Sequence, residues 1–275
     1  MRESPSAGLP GFGGKERRER MRRMLKVIDG CVSFALSLVL LIAGMYAGYC
    51  LWDNHQIYSA AENVQAELLN LKPQISEETD EPTGPTFDEL LAVNSDVCAW
   101  ITLENTQIDY PVLQGETNLD YINTDVYGNF ALAGSIFLDA RSDRTFVEPY
   151  AVLYGHHMEN SGMFGDLDLY KDKRFFAENR AGTLILPDRV CPLQVFACML
   201  VSASEERVFN PALWADGVAG LLDYAQAEAL CFDEQTALQL RARINAGESP
   251  QVLALTTCAS EFTDARTIVL AAMSD

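Results

Sequence analysis

Leu255-Thr256-Thr257-Cys258 runs into a polar loop that reaches Asp264, and Ala265-Arg266 then opens the apolar run Thr267-Ile268-Val269-Leu270. Residues 253–257 alternate apolar and small polar side chains, and 267–270 is β-branched and apolar, so both stretches read as strands. The loop 260–265 joins them. A cysteine ending one strand and an arginine starting the next therefore come out at the same edge of a sheet. An exposed thiol beside a fixed guanidinium is the setting that lowers a cysteine pKa and makes a thiolate nucleophile. The plainer alternative for Cys258 is a small buried core residue.

Short strands dominate the chain from Asp96 onward. They are predicted at 99–103, 107–112, 134–138, 150–154, 183–186, 191–202, 252–257 and 267–272, punctuated by Gly, Pro and Asn. Eight such strands suggest a closed barrel or a sandwich, a mainly β fold with helical additions. Helical inserts break the series at 163–177 and at 211–246, and the second is expected to form one wall of a binding groove. Thr86-Phe87-Asp88-Glu89 matches a capping box ahead of Leu90 and Leu91, so a short helix starts there.

The N-terminal third has a different character. Of the 20 Lys and Arg, eight fall in residues 1–30 against four acids, leaving 12 basic and 35 acidic residues beyond. A body this acidic repels phosphate backbones, so nucleic acid is not an expected partner. Residues 31–52 are 22 positions without a charge; as a helix they extend roughly 33 Å, enough to cross a bilayer core. That is longer than the apolar core of a cleaved signal peptide. Flanking basic residues keep the amino terminus on the cytoplasmic side and put everything after Trp52 outside. The expected organisation is a basic cytoplasmic tail (1–30, with 1–14 unstructured), a single-pass signal anchor in the cell membrane (31–52), an extracellular helix and proline-punctuated linker (53–85), and a globular domain (86–275).

Two of the seven cysteines, Cys31 and Cys50, lie in the apolar segment; Cys98, Cys191, Cys198, Cys231 and Cys258 lie beyond it. No C-x-x-C pair occurs, which argues against a thiol-redox motif or a paired zinc site. Cys98, Cys191 and Cys198 sit in apolar, strand-like surroundings and read as packing residues. Tyr154-Gly155-His156-His157 holds two of the three histidines, the side chains best suited to move protons near neutral pH. His156 is expected just after a strand, with Gly155 allowing a sharp turn. Neighbours on extended backbone face opposite ways, so only one histidine readily shares a pocket with Cys258; the residues alone leave open which. With three scattered histidines, no metal constellation and no cofactor are expected.

The chain resembles the class B sortases, membrane-anchored cysteine transpeptidases of Gram-positive bacteria. The likeness runs from about Phe87 to Met273 through seven ordered blocks: Asp96-Val97-Cys98-Ala99-Trp100-Ile101, Ile108-Asp109-Tyr110-Pro111-Val112-Leu113-Gln114, Gly134-Ser135-Ile136-Phe137-Leu138-Asp139, Tyr154-Gly155-His156, Met163-Phe164-Gly165-Asp166-Leu167, Leu255-Thr256-Thr257-Cys258 with Glu261-Phe262, and Ala265-Arg266. The resemblance implies an eight-stranded sortase-type β-barrel with amino-terminal helices. It implies Cys258 as nucleophile, His156 as proton carrier and Arg266 as oxyanion donor, with Tyr154, Thr256, Thr257 and Glu261 at the substrate. His157 stands where relatives often carry Asn, and Thr256 where many carry Ser. The implied partners are exported proteins with a C-terminal sorting signal and an amine of the peptidoglycan cross-bridge or its lipid-linked precursor.

Three other readings compete. A membrane-tethered cysteine protease shares nucleophile and base, but papain-like enzymes place Cys before His and orient the base with Asn, whereas the order here is His156, Cys258, Arg266. A pilin-polymerising sortase differs only in its partners. A non-catalytic binding module on a stalk predicts an ordinary Cys258 thiol.

Overall fold

A computed structural model describes residues 13–73, 85–258 and 265–274. Helix α1 spans Gly13–Leu69 and is long and apolar enough to cross a membrane. Of the unstructured tail predicted over 1–14, residues 1–12 lie outside the described residues, and Gly13 and Gly14 already belong to α1. Residues 74–84 of the predicted linker also lie outside them. The chain divides into two compact units at His55/Gln56.

The second unit is a barrel. Its strands are β1 (Val97–Leu103), β2 (Asp109–Leu113), β3 (Ile136–Leu138), β4 (Tyr150–His156), β5 (Ala181–Ile185), β6 (Val190–Ser202), β7 (Cys231–Phe232), β8 (Gln251–Cys258) and β9 (Ala265–Met273). They pair in the order β5-β1-β2-β3-β4-β8-β9-β6, and β6 pairs back to β5 to close an eight-stranded ring. The two-residue β7 pairs with β6 outside that ring. All eight predicted strands are present. β2–β3 and β4–β8 are parallel pairs; the other pairs are antiparallel.

Period-2 alternation sorts the side chains. On β8, Leu253 and Leu255 face a buried interior with Leu153 and Phe164. Val252 and Ala254 face outward into a second core beneath Leu221, Leu222 and Leu240. Those leucines belong to helices that cover the sheet. Helix α2 (Phe87–Val93) instead buries Phe87 and Leu90, which join Leu68 of α1, Trp100 and Phe137 in a third cluster. Thr86 stands at the N-cap with extended backbone, but its side chain makes no cap hydrogen bond. The capping-box pattern therefore marks the start of α2 without forming the box, and burial of Phe87 and Leu90 holds the helix.

The predicted insert at 163–177 is a 3-10 turn, Gly165–Lys171, followed by α3 (Lys173–Glu178). Asp172 caps α3 by accepting from the N–H groups of Arg174 (3.0 Å) and Phe175 (2.9 Å). The later insert, predicted at 211–246, holds α5 (Ala219–Glu228) and α6 (Glu234–Asn245), and α4 (Glu206–Phe209) precedes it outside the predicted bounds.

Candidate active site

β4, β8 and β9 lie side by side, and their chain ends set the geometry. β4 and β8 run parallel in a register that puts His156 across from Cys258. β8 and β9 are antiparallel with Thr256 across from Ile268, and Arg266 pairs with Val201 of β6. Side chains on one face of a sheet recur every second residue, so Tyr154 and His156 share one face of β4, and the β8 positions paired with them are 256 and 258. The side chain of Cys258 lies outside the described residues, as does all of Glu261.

β4 continues through Gly155 to His156, so the expected sharp turn at Gly155 is absent. The glycine is required for space: a Cβ there would meet Ile136 Cδ1 at 2.4 Å and Phe164 at 2.7 Å. Phe164 is fully buried, and that close approach packs the loop after β4 against the strand.

His156 is half-buried. Its Nε2 lies 2.7 Å from the carbonyl oxygen of Ile122. A carbonyl only accepts, so Nε2 carries the proton and, among the described residues, Nδ1 is the ring nitrogen left for proton transfer. His157 faces the other way and donates from Nε2 to Asp168 Oδ2 at 3.2 Å. That hydrogen bond raises the His157 pKa and holds the Asp168 carboxyl well below the usual carboxylate range.

A cavity of about 380 Å³ lies beside these strand ends, lined by Ile122, Phe137, Arg141, Tyr154, Thr257 and Arg266 among others. Arg266 and Tyr154 thus meet in one groove. The Tyr154 ring stacks on Phe137 and Phe209 at centroid distances of 5.3 and 6.3 Å, and its hydroxyl donates to Asp139 Oδ2 at 2.9 Å. Thr257 is buried, and its Oγ1 accepts from the N–H of Thr267 at 3.3 Å. Thr256, the fourth expected substrate contact, does not reach the groove. It is fully buried, and its hydroxyl donates to the Leu153 carbonyl at 3.0 Å, so it fastens β8 to β4.

The expected groove wall is also corrected. Among the described residues, none of 211–246 lines the cavity; the wall comes from Asn118, Leu119 and Ile122 in the β2–β3 connection, with Phe209 from α4. Asp139 and Arg141, which sequence reasoning gave no role, form its base. Burial pushes the Asp139 carboxyl up, yet bonds from Arg141, Tyr154 and Asn118 outweigh it and hold the carboxyl below its ordinary value. Arg141 grips Asp139 through Nε (2.8 Å) and a second guanidinium nitrogen (2.7 Å). The only sequence trace of this arrangement was Asp139 at the end of the Gly134–Asp139 block.

Cys98, Cys191, Cys198 and Cys231 are all buried. Burial drives the Cys98 and Cys198 thiols up to about 12 and raises that of Cys231. These three stay protonated at neutral pH and are unfit as nucleophiles. Among the described residues no group of His, Cys, Asp and Glu is arranged to hold a metal ion.

No protein-family model matches the chain. It is 32% identical over 162 residues to Sortase B of Staphylococcus aureus, covering 58% of this chain and 63% of that protein. It is 31% identical over 137 residues to Sortase B of Listeria monocytogenes, covering 50% and 55%. The matches thus span less than two thirds of these curated relatives. Among solved structures, the chain is similar to a Streptococcus pyogenes class B sortase involved in pilus biogenesis, at 35% identity and a TM-score of 0.59, covering 68% of this chain and 97% of that one.

Proposed function

The chain belongs to the class B sortases, and on that premise we propose that it is a membrane-anchored cysteine transpeptidase acting on C-terminal sorting motifs of exported proteins. The observation that supports this reading is the β4–β8 register, which pairs position 156 with position 258, beside a cavity that Tyr154 and Arg266 line.

The Cys258 thiolate attacks the carbonyl carbon of a threonine in the sorting motif. Charge develops on the carbonyl oxygen, and Arg266 donates to it from the groove rim. His156, in its protonated form, gives its proton to the departing amine as the carbon–nitrogen bond breaks and a thioester forms. The incoming amine, from a peptidoglycan cross-bridge or its lipid-linked precursor, then loses a proton to His156 and attacks the thioester. A new amide forms and the thiolate is released. Tyr154 and Thr257, beside Arg266 in the cavity, and Glu261 hold the substrate backbone.

Helix α1 supports single-pass anchoring in the cell membrane, with the basic residues of its amino-terminal end on the cytoplasmic side and the barrel outside. A substrate held in the same membrane meets the enzyme at high effective concentration. The likeness to a sortase involved in pilus biogenesis favours a second reading of the acceptor, an amine on another protein subunit.

The test uses the full chain in detergent with a fluorogenic sorting-peptide library, with and without an amine acceptor. Cys258→Ala is expected to abolish cleavage, His156→Ala to lower it by about 10²–10⁴, and Arg266→Ala by about 10²–10³. Cleavage without ligated product in the presence of acceptors of both kinds makes the chain a protease instead. Activity surviving in Cys258→Ala ends the reading.

A further inference from the structure

Behind the groove row, on the alternate face of the same three strands, lies a polar network of which Thr257 also lines the cavity. Asp168 sits in the 3-10 turn Gly165–Lys171. Its Oδ1 accepts from the Thr267 hydroxyl at 2.6 Å and pairs with the Lys171 ammonium at 2.6 Å. Its Oδ2 accepts from His157 at 3.2 Å. Thr267 in turn gives its N–H to Thr257 Oγ1. Each strand residue of this network immediately follows or precedes a residue of the groove row: His157 follows His156, Thr257 precedes Cys258, and Thr267 follows Arg266. The carboxylate therefore ties β4 to β9 past the end of β8, which lies between them.

The loop that delivers Asp168 is itself strained. Ser161 and Met163 hold φ of 66° and 53°, in the left-handed region that costs side-chain-bearing residues of order 1–3 kcal/mol and persists only when surrounding contacts enforce it. The enforcing contacts run back to β4: His157 bridges to Met163, and the Phe164 N–H donates to the His156 carbonyl at 2.9 Å. Stability alone gives little reason for this outlay. The side chains of His157 and Asp168 are 28% and 40% exposed, and ion pairs that open to water contribute little.

We propose that Asp168 is a positioning residue for the transfer reaction: it fixes the spacing of the ends of β4 and β9 so that His156 and Arg266 stay aligned on the Cys258 position between them. This inference rests on the transpeptidase reading above. Displacing a reacting group by about 1 Å can cost on the order of 10²-fold in rate, and the ends of two strands held by one carboxylate are poised to move by that much when it is removed.

The test compares wild type with Asp168→Ala and Thr267→Val in the full chain in detergent, with Cys258 titrated by a thiol reagent so that rates are counted per competent site. Thr267→Val keeps a β-branched side chain suited to a strand and removes only the hydroxyl that Asp168 accepts, so it serves if Asp168→Ala does not fold. The expected result is a fall in kcat per titrated site of about tenfold or more in each folded variant, with KM for the peptide changed by less than about threefold. A smaller fall in kcat, or a loss carried by KM, overturns the inference while leaving the transpeptidase reading intact, provided wild type is active and Cys258→Ala is not. A wild type without transfer activity removes both.

Discussion

The connection between β2 and β3, residues 114–135, contains no helix and a single isolated bridge, Thr124 to Phe130. Residues 203–250, between β6 and β8, hold three helices and β7. The first is held by directed polar contacts. Asn118 Oδ1 accepts the Ala140 N–H at 2.7 Å, Asp125 Oδ1 accepts from the N–H groups of Tyr127 (2.9 Å) and Asn129 (2.8 Å), and Ser135 donates to the Thr124 carbonyl at 2.8 Å. The second is held by apolar burial, with Val218, Leu221, Leu222 and Ala225 fully buried and Leu240 nearly so. Hydrogen bonds fix direction and distance, whereas apolar contact mainly fixes how much surface leaves water. The irregular connection can therefore place a single atom, the Ile122 carbonyl, against His156. The helical insert covers the sheet and reaches the groove only at its start, through Ala203 and Phe209.

Substitutions in the two regions should separate accordingly. The largest expected effect is in the insert: Leu222→Ala removes a fully buried side chain and should cost about 2–5 kcal/mol. Urea unfolding reads that loss, and kcat/KM per folded molecule should stay near wild type; a matching loss of kcat would break the contrast. Gly134→Ala should do the reverse. Gly134 has φ of 59°, and a Cβ there would meet the Ile122 carbonyl oxygen at 2.2 Å. A stability loss of about 1–2 kcal/mol is expected, with kcat falling at least about tenfold because the acceptor of the His156 proton is displaced. Unchanged kcat at the same stability loss would sink this reading.

Asn118→Ala deletes one bond to the Ala140 N–H and one to Asp139. It should cost about 1 kcal/mol and appear mainly as a raised KM, since it loosens the groove base. The smallest effect concerns pH. The folded-state pKa of His157 is raised and that of Asp168 depressed. The histidine contribution is complete below about pH 6.5 and lost as pH rises through the raised value; the carboxylate contribution is complete above about pH 3.9 and lost as pH falls through the depressed value. The Tm difference between wild type and His157→Gln should thus be greatest between these limits and shrink at alkaline pH. Given the exposure of the pair, the stability difference behind it should stay below about 1 kcal/mol. A difference that is flat from about pH 5 to about pH 9 would show that the pair is not charged in the folded state.

The same contrast explains what could be read in advance. Strand alternation in 252–257 and 267–272 placed β8 and β9, and the apolar pattern of 211–246 placed α5 and α6, because burial writes a period into sequence. Residues 114–135 carry no period, so their role as groove wall was invisible and the more patterned insert was given it instead. Gly155 was read as a turn glycine because sequence shows the missing side chain but not the Ile136 and Phe164 atoms that fill its place. Choosing His156 over His157 needed the family resemblance, since alternation separates two neighbours without naming which one faces the groove. Thr256 shares a face with the groove row, yet its hydroxyl turns to the Leu153 carbonyl, a local competition that no pattern encodes.

The parallel pairing of β4 with β8 has a consequence for how activity first arises. No hairpin can bring these strands together; the hydrogen bond from Thr256 to Leu153 spans 103 positions of chain. Contacts that distant form only after the intervening segments have ordered and the entropy of closing the loop has been met. On the proposed mechanism, a nascent or half-collapsed polypeptide has its imidazole and its thiol on unconnected pieces, and the chemistry would switch on only at ring closure.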